Sequence, residues 1–189
     1  MADVVGIFTG KDLKMMESEG GSGYWVAKTD RVKNSEYIIL IRNRREQWAA
    51  KDGLEHGQAF LIGKISGCIQ SKKYDGRKLI QMSEYSPLPD TPDFKKAWKK
   101  LTGGQRYPVA YRTTENLLEA LGLDVTTLDW QTFNANPNAE NFLDVAEADL
   151  EDDTTNDERE LSEIISEAKE MIALAADVDI DRISIQISF

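Results

Sequence analysis

YIILIRNRREQWAAKDGLEHGQAFLIGKISGCIQ, residues 37–70, is the stretch whose reading decides the fold. It opens on Tyr37-Ile38-Ile39-Leu40-Ile41, an unbroken apolar run of the kind found in strands covered on both faces. The run is short and rich in β-branched residues, which favours strand over buried helix. Residues 59–69 read the same way and carry Gly63 and Gly67 inside them. Glycine within a strand marks a bulge or a close backbone approach. Two glycines four apart fit a strongly curved barrel strand as well as the ordinary twist of a small sheet.

Arg42, Arg44, Arg45 and Lys51 surround Trp48 between the two runs. Guanidinium groups beside an indole can hold a phosphate and stack a base. The alternative is a solvated loop in which Trp48 turns inward. The charge of the whole chain bears on this choice. Residues 141–189 hold three basic and 15 acidic residues, which leaves 20 basic and 18 acidic in residues 1–140. An overall net charge of −10 therefore conceals a main domain of about +2 and a tail of about −12.

A chain of 189 residues suggests one main domain with an appendage, and an apolar fraction of 41% is enough for a sizeable core. No stretch approaches the roughly 20 apolar residues of a membrane span. The first residues lack the charged start and apolar segment of a signal peptide. Cys68 is the only cysteine, so no intrachain disulfide forms. Together these make the cytoplasm the expected location, with no membrane partner.

Toward the N-terminus, residues 3–8 read as a strand and residues 20–23, GGSG, as a loop. That loop lacks the lysine and hydroxyl spacing of a nucleotide P-loop. Tyr24-Trp25-Val26-Ala27 reads as a strand, residues 28–36 as a polar turn, and residues 46–50 as a helical turn. Asp75-Gly76 signals a hairpin with arms at 68–74 and 77–83. Lys72, Lys73, Arg77 and Lys78 gather near its tip. Pro87, Pro89 and Pro92 then break regular structure.

Residues 93–101, DFKKAWKKL, predict an amphipathic helix capped by Asp93. Phe94, Trp98 and Leu101 share its apolar face, and Lys95, Lys96, Lys99 and Lys100 form the remainder. Four lysines near Arg106 and Arg112 suit a phosphate backbone, although the same pattern serves any surface helix docked by its aromatics. Pro108 makes residues 106–112 an edge strand or a strand start. Thr113 or Thr114 can cap a helix ending at Leu121, with Leu117, Leu118 and Leu121 as its apolar side and Gly122 as its stop. Residues 125–133 should pack back on the domain.

Residues 141–160 form an acidic connector whose charges repel one another. It is read as a solvated linker or as a nucleic-acid mimic that covers a basic surface. From 161 onward a helical stripe precedes an alternating strand, Ile183, Ile185, Ile187 and Phe189. One helix and one strand cannot form a stable unit alone. The appendage must join the main sheet, a second copy or a protein partner.

Common enzyme chemistries find little support. His56 is the only histidine, and its spacing from Cys68 matches no metal pattern. A Cys68–His56 nucleophile pair is conceivable, but a small core cysteine and a loop histidine are the simpler assignments. No cofactor or metal site is expected.

FLIGKISG at 60–67, LIQMSEYSPL at 79–88, RYPVAYRTTENLLEALGLD at 106–124 and the ending from Ile165 resemble a widespread family of bacterial hypothetical proteins. No function is attached to that family, so no site residue carries over from it. Tyr24-Trp25-Val26 and Gly63-Lys64-Ile65 are similar to strands of PUA-like barrels, including the EVE type. That second resemblance implies binding of RNA or of modified bases in DNA.

The expected architecture is α+β: a small, strongly bent antiparallel sheet or barrel with two or three helices over 1–140, a linker over 141–160, and a helix–strand appendage over 161–189. The expected function is a non-enzymatic binding module for nucleic acid. Arg42, Arg44, Arg45, Lys72, Lys73, Lys95, Lys96, Lys99 and Lys100 would hold phosphates, and Trp48 would stack. The alternatives are a protein-interaction or dimerisation subunit using 161–189, and an enzyme built on Cys68 and His56.

Overall fold

The computed structural model describes residues 2–45, 48–71, 74–137, 139, 142–143 and 184. The chain divides into a unit over Met1–Val145 and another over Ala146–Phe189. The predicted linker and helix–strand appendage at 141–189 lie outside the described residues except for 142–143 and Ser184.

The first unit is α+β and is built on one strongly curled, half-barrel sheet. Its strands are β1 (Asp3–Thr9), β2 (Ser22–Trp25), β3 (Tyr37–Arg42), β4 (Ala59–Ser71), β5 (Lys78–Pro87) and β6 (Val109–Thr113). Their order across the sheet is β2-β5-β4-β3-β1-β6. Two short strands complete it: β7 (Gln131–Thr132) on β5 and β8 (Phe142–Leu143) on β4. The pairs are antiparallel except β1–β3, which run parallel with Val4 opposite Tyr37 and Thr9 opposite Arg42. A parallel pair needs a crossover. Here the crossover is α1 (Leu13–Glu19), β2 and α2 (Thr29–Lys33).

Strand β3 is central, as its unbroken apolar run predicts. Ile38, Ile39, Leu40 and Ile41 are all fully buried, each contributing roughly 2 kcal/mol of hydrophobic stabilisation. Alternation sends them to different clusters. Ile38 and Leu40 face the inside of the curl with Val5, Ile7, Leu61, Cys68, Ile80 and Met82. Ile39 and Ile41 face outward onto α3 (Ala97–Thr102) and α4 (Thr114–Leu121), where Trp98, Leu101, Leu117 and Leu121 meet them.

The glycines in β4 mark close approach, as expected. A Cβ at Gly63 would lie 2.5 Å from Met82 Sδ, and one at Gly67 would lie 2.5 Å from Gln81 Oε1. The β4–β5 register shifts between Lys64 and Ile65 and again between Ile65 and Gly67. Those irregularities bend the long strand. The Asp75-Gly76 hairpin also forms, with Gln70 opposite Lys78.

Five elements differ from the sequence reading. The strand expected at 24–27 begins inside the GGSG segment, at Ser22, and ends at Trp25, with Val26 exposed. The glycine-rich and charged segment after β1 contains α1, capped by Asp12, whose carboxylate accepts from the Met15 amide at 2.8 Å. The polar turn at 28–36 contains α2, which buries Val32. Helix α3 starts at Ala97 rather than Asp93, because Lys96 adopts a left-handed conformation (φ 57°) and interrupts the backbone. Tertiary bonds hold that break. The Phe94 carbonyl accepts from the Ala59 amide, and the Gly57 carbonyl accepts from the Trp98 amide. In α4, Leu117 and Leu121 are buried but Leu118 is 52% exposed. The Thr113 cap is as predicted, in a reciprocal capping box with Asn116. No helix among the described residues is long and apolar enough to cross a membrane.

Close contact of β2 with β5 generates a stability prediction. A Cβ at Gly21 would stand 2.5 Å from the Ile80 carbonyl oxygen, which is backbone and cannot rotate away. Gly21→Ala should lower unfolding stability by about 1–3 kcal/mol in a denaturant titration. Gly76→Ala, at a turn with nothing within 4 Å of the added Cβ, should show only the smaller effect of its positive φ.

Candidate functional site

The inside of the curl ends in a polar layer. Along β3 the inward series is Ile38, Leu40, Arg42; along β1 it is Val5, Ile7, Thr9. The parallel register sets Thr9 beside Arg42 at the same end of the sheet. Arg42 is fully buried. Its Nη1 donates to the carbonyls of Thr9 at 3.2 Å and Lys11 at 2.9 Å, and its Nη2 donates to Asp52 Oδ2 at 2.5 Å. The guanidinium lies over the Phe60 ring, 4.3 Å from its centroid. Desolvation lowers its pKa, and Asp52 opposes that shift most strongly. Nε is buried with no hydrogen-bond partner.

This arrangement corrects the surface role expected of Arg42. It is an internal strut that ties the turn after β1 to the β3–β4 loop. Backbone bonds reinforce the tie. Asn43 donates to the Thr9 carbonyl at 2.8 Å, and Ala50 donates to the Gly10 carbonyl at 2.9 Å.

The remaining loop residues face outward on that support. Arg44 and Arg45 are exposed. The Arg44 amide donates to His56 Nδ1 at 3.2 Å and its Nη1 to the Leu54 carbonyl at 2.8 Å. Trp48 does not turn into the core; it is 52% exposed. Its six-membered ring lies against Gly10, where an added Cβ would be 3.1 Å from Cζ3. The His56 ring packs edge-on against Phe8 at 5.0 Å, and Phe8 stacks on Trp98 at 4.8 Å. Partial desolvation, then Arg45, lowers the His56 pKa. The neutral imidazole is the form that accepts the Arg44 amide.

The lysines of the α3 region adjoin this loop. Lys95 pairs with Glu55 at 2.6 Å. Lys96, Lys99 and Lys100 are exposed, and Lys100 Nζ donates to the Asp93 carbonyl at 2.7 Å. Arg44 and Lys95 therefore bond neighbouring residues of the β3–β4 loop, Arg44 at Leu54 and His56 and Lys95 at Glu55, while Trp48 of the same loop lies against Gly10. Lys72 and Lys73 lie outside the described residues.

Sequence reading misses three contributors: Gly10, Lys11 and Asp52. Gly10 is the floor under Trp48. Lys11, 8% exposed, pairs with Glu19 and lies 4.4 Å from the Tyr24 ring centroid. Tyr24 in turn meets Tyr74 edge-on at 4.8 Å. The available signal was Thr9-Gly10-Lys11 directly after a strand, a small residue and a cation at a strand end. Asp52 precedes Gly53, and such an Asp-Gly pair signals a turn rather than a partner for a buried arginine.

The loop carries exposed cations and a half-exposed indole, and its backbone is held by the buried Arg42–Asp52 pair. Cys68 is buried inside the curl, whereas His56 rests on Phe8 of the opposite face. The pair cannot share a proton, which removes the nucleophile arrangement. Among the described residues no group of three His, Cys, Asp or Glu could hold a metal ion.

Two outcomes follow from the strut and from His56. Arg42→Ala takes the Arg42 donors from the Lys11 carbonyl and the partly exposed Asp52 and leaves the Thr9 carbonyl with the Asn43 amide alone. It should destabilise by about 3 kcal/mol and speed proteolysis within the β3–β4 loop, measured by chemical denaturation and limited digestion. The pKa of His56 is depressed on folding, so its contribution is full above the ordinary value of about 6.5 and is lost as pH falls below it. Wild-type stability should drop between pH 7 and pH 5 by more than that of His56→Gln, which has no proton to gain.

Compared with protein-family models, with curated proteins and with solved structures, the chain matches none.

Proposed function

We propose that this protein is a non-enzymatic nucleic-acid-binding module of the cytoplasm. Its binding surface is the β3–β4 loop together with the α3 region. The observation that carries this reading is Trp48, half exposed over Gly10, on the same β3–β4 loop as the exposed Arg44 and Arg45, a loop that Glu55 joins to Lys95. An exposed indole on a pinned loop loses little freedom when a base stacks on it, and neighbouring cations supply the phosphate contacts. The likeness of Tyr24-Trp25-Val26 and Gly63-Lys64-Ile65 to PUA-like barrels supports the same reading.

A second reading rests on the alternation of Ile183, Ile185, Ile187 and Phe189. There the tail adds a strand to a protein partner or to a second copy of the chain. Sedimentation of the full chain tests it; a monomer over the whole concentration range excludes the second copy.

The nucleic-acid reading is tested by fluorescence anisotropy with labelled single- and double-stranded oligonucleotides over a salt series. Binding should fall steeply with salt. Trp48→Ala should cost about 1–3 kcal/mol on single strands. Arg44→Gln and Arg45→Gln should each flatten the salt slope by about 0.7. Absence of salt-sensitive binding by the wild-type chain overturns the reading.

A further inference from the structure

A second cationic feature lies at the far end of α3. An open groove of about 490 Å³ runs between α3, β6 and α4, lined by Lys100, Leu101, Tyr111, Arg112, Asn116 and Glu119 among others. Its lining is mostly polar, which suits a charged ligand better than an apolar one. Arg112 is fixed in place. Its Nε donates to the Leu101 carbonyl at 2.5 Å and its Nη1 to the Tyr111 carbonyl at 2.6 Å. Nη2 has no acceptor among the described residues. The only buried unpartnered side-chain nitrogen or oxygen among them is Arg42 Nε, so Arg112 Nη2 is open to solvent. Lys100 lines the same groove, held by the Asp93 carbonyl. Two cations therefore face one carboxylate, Glu119.

The α3 segment joins the groove to the β3–β4 loop. The Lys100 amide donates to the Lys96 carbonyl at 3.0 Å, so the two lysines stand one helical turn apart, about 6 Å along the axis. Lys95 is joined to Glu55 of the β3–β4 loop. The segment 95–100 thus runs from Lys95, bonded to the loop, to Lys100, which lines the groove with Arg112.

We infer that the groove at Lys100 and Arg112 is a phosphate subsite, which makes the preferred ligand a single nucleic-acid strand lying along α3 with one base on Trp48. The inference rests on the nucleic-acid reading and adds a ligand class and a direction to it. A single strand satisfies the geometry because its phosphates can follow a bent path from loop to groove while a base unstacks toward the indole. Arg112 supplies the directed contact, because its guanidinium is already oriented by two carbonyls and needs no further ordering to meet a phosphate oxygen. Glu119 opposes the bound phosphate and sets an upper limit on affinity.

The test uses the full chain and a labelled oligothymidylate, titrated by anisotropy over a salt series, with wild type, Lys100→Gln, Arg112→Gln and Glu119→Gln. Lys100→Gln and Arg112→Gln should each reduce the slope of log K against log salt by about 0.7. Glu119→Gln should tighten binding by up to about fivefold, the upper end for one exposed charge. A duplex of equal length should bind more weakly to the wild type and respond less to these substitutions. Wild-type binding with all three variants unchanged overturns the subsite and leaves the loop surface standing. Weakening by Arg112→Gln alone also overturns it, because that is the result of losing the support of the Leu101 carbonyl. No binding by the wild type removes the subsite and the nucleic-acid reading together.

Discussion

Burying one arginine at the end of an apolar strand constrains everything around it. Arg42 occupies the position that another aliphatic residue would fill in a regular interior series. A guanidinium there must meet acceptors, because an unpaired buried charge is costly. The acceptors are two carbonyls from the turn after β1 and a carboxylate from the β3–β4 loop. Neither loop can move without stripping the guanidinium of partners. The ion pair thereby converts two surface loops into a fixed platform, and the exposed ring of Trp48 is set by that platform.

The rest of the domain keeps the platform in register. One sheet divides the core into an inner and an outer cluster, and β3 supplies two fully buried residues to each. Curvature comes from the long strands β4 and β5, where glycines accept neighbours at distances that a Cβ would forbid. On the outer face α3 links core to surface. Trp98 and Leu101 dock it while its lysines remain in water. The left-handed Lys96 is where the backbone changes from a loop bonded to β4 into a helix.

Much of this is legible in the sequence where a single element carries its own signal. Residues 37–41 announce a strand covered on both faces because no polar residue interrupts them. Asp75-Gly76 announces a hairpin because few other dipeptides fit its turn. Thr113-Thr114 before an apolar helical pattern announces a cap because its bonds are local, and the structure gives that role to Thr113. The misses have tertiary causes. Helix α3 begins late because the Phe94 and Gly57 carbonyls bond to other segments, which no local pattern records. Leu118 looks like core because it adjoins Leu117, yet the sheet covers only one side of α4. Arg42 looks like the first residue of a basic loop. Its burial depends on a parallel partner 33 positions earlier, and a crossover of that length leaves no trace in periodicity. The candidate surface was therefore visible as a cluster of residue types, whereas its support was not.

Parallel pairing of β1 with β3 has a consequence for how this surface can change. In an antiparallel pair, successive strand ends lie at opposite edges of the sheet. Here the segments following Thr9 and Arg42 leave the sheet side by side, although a helix, an edge strand and a second helix separate them in the chain. Residues on the two segments are neighbours with independent histories. Each can lengthen, shorten or exchange side chains outward of the Arg42 strut while the inward series Val5, Ile7, Ile38 and Leu40 stays as it is. The fold thus separates inheritance of the core from drift of the contact surface, and related chains should differ most on the outward side of that one ion pair.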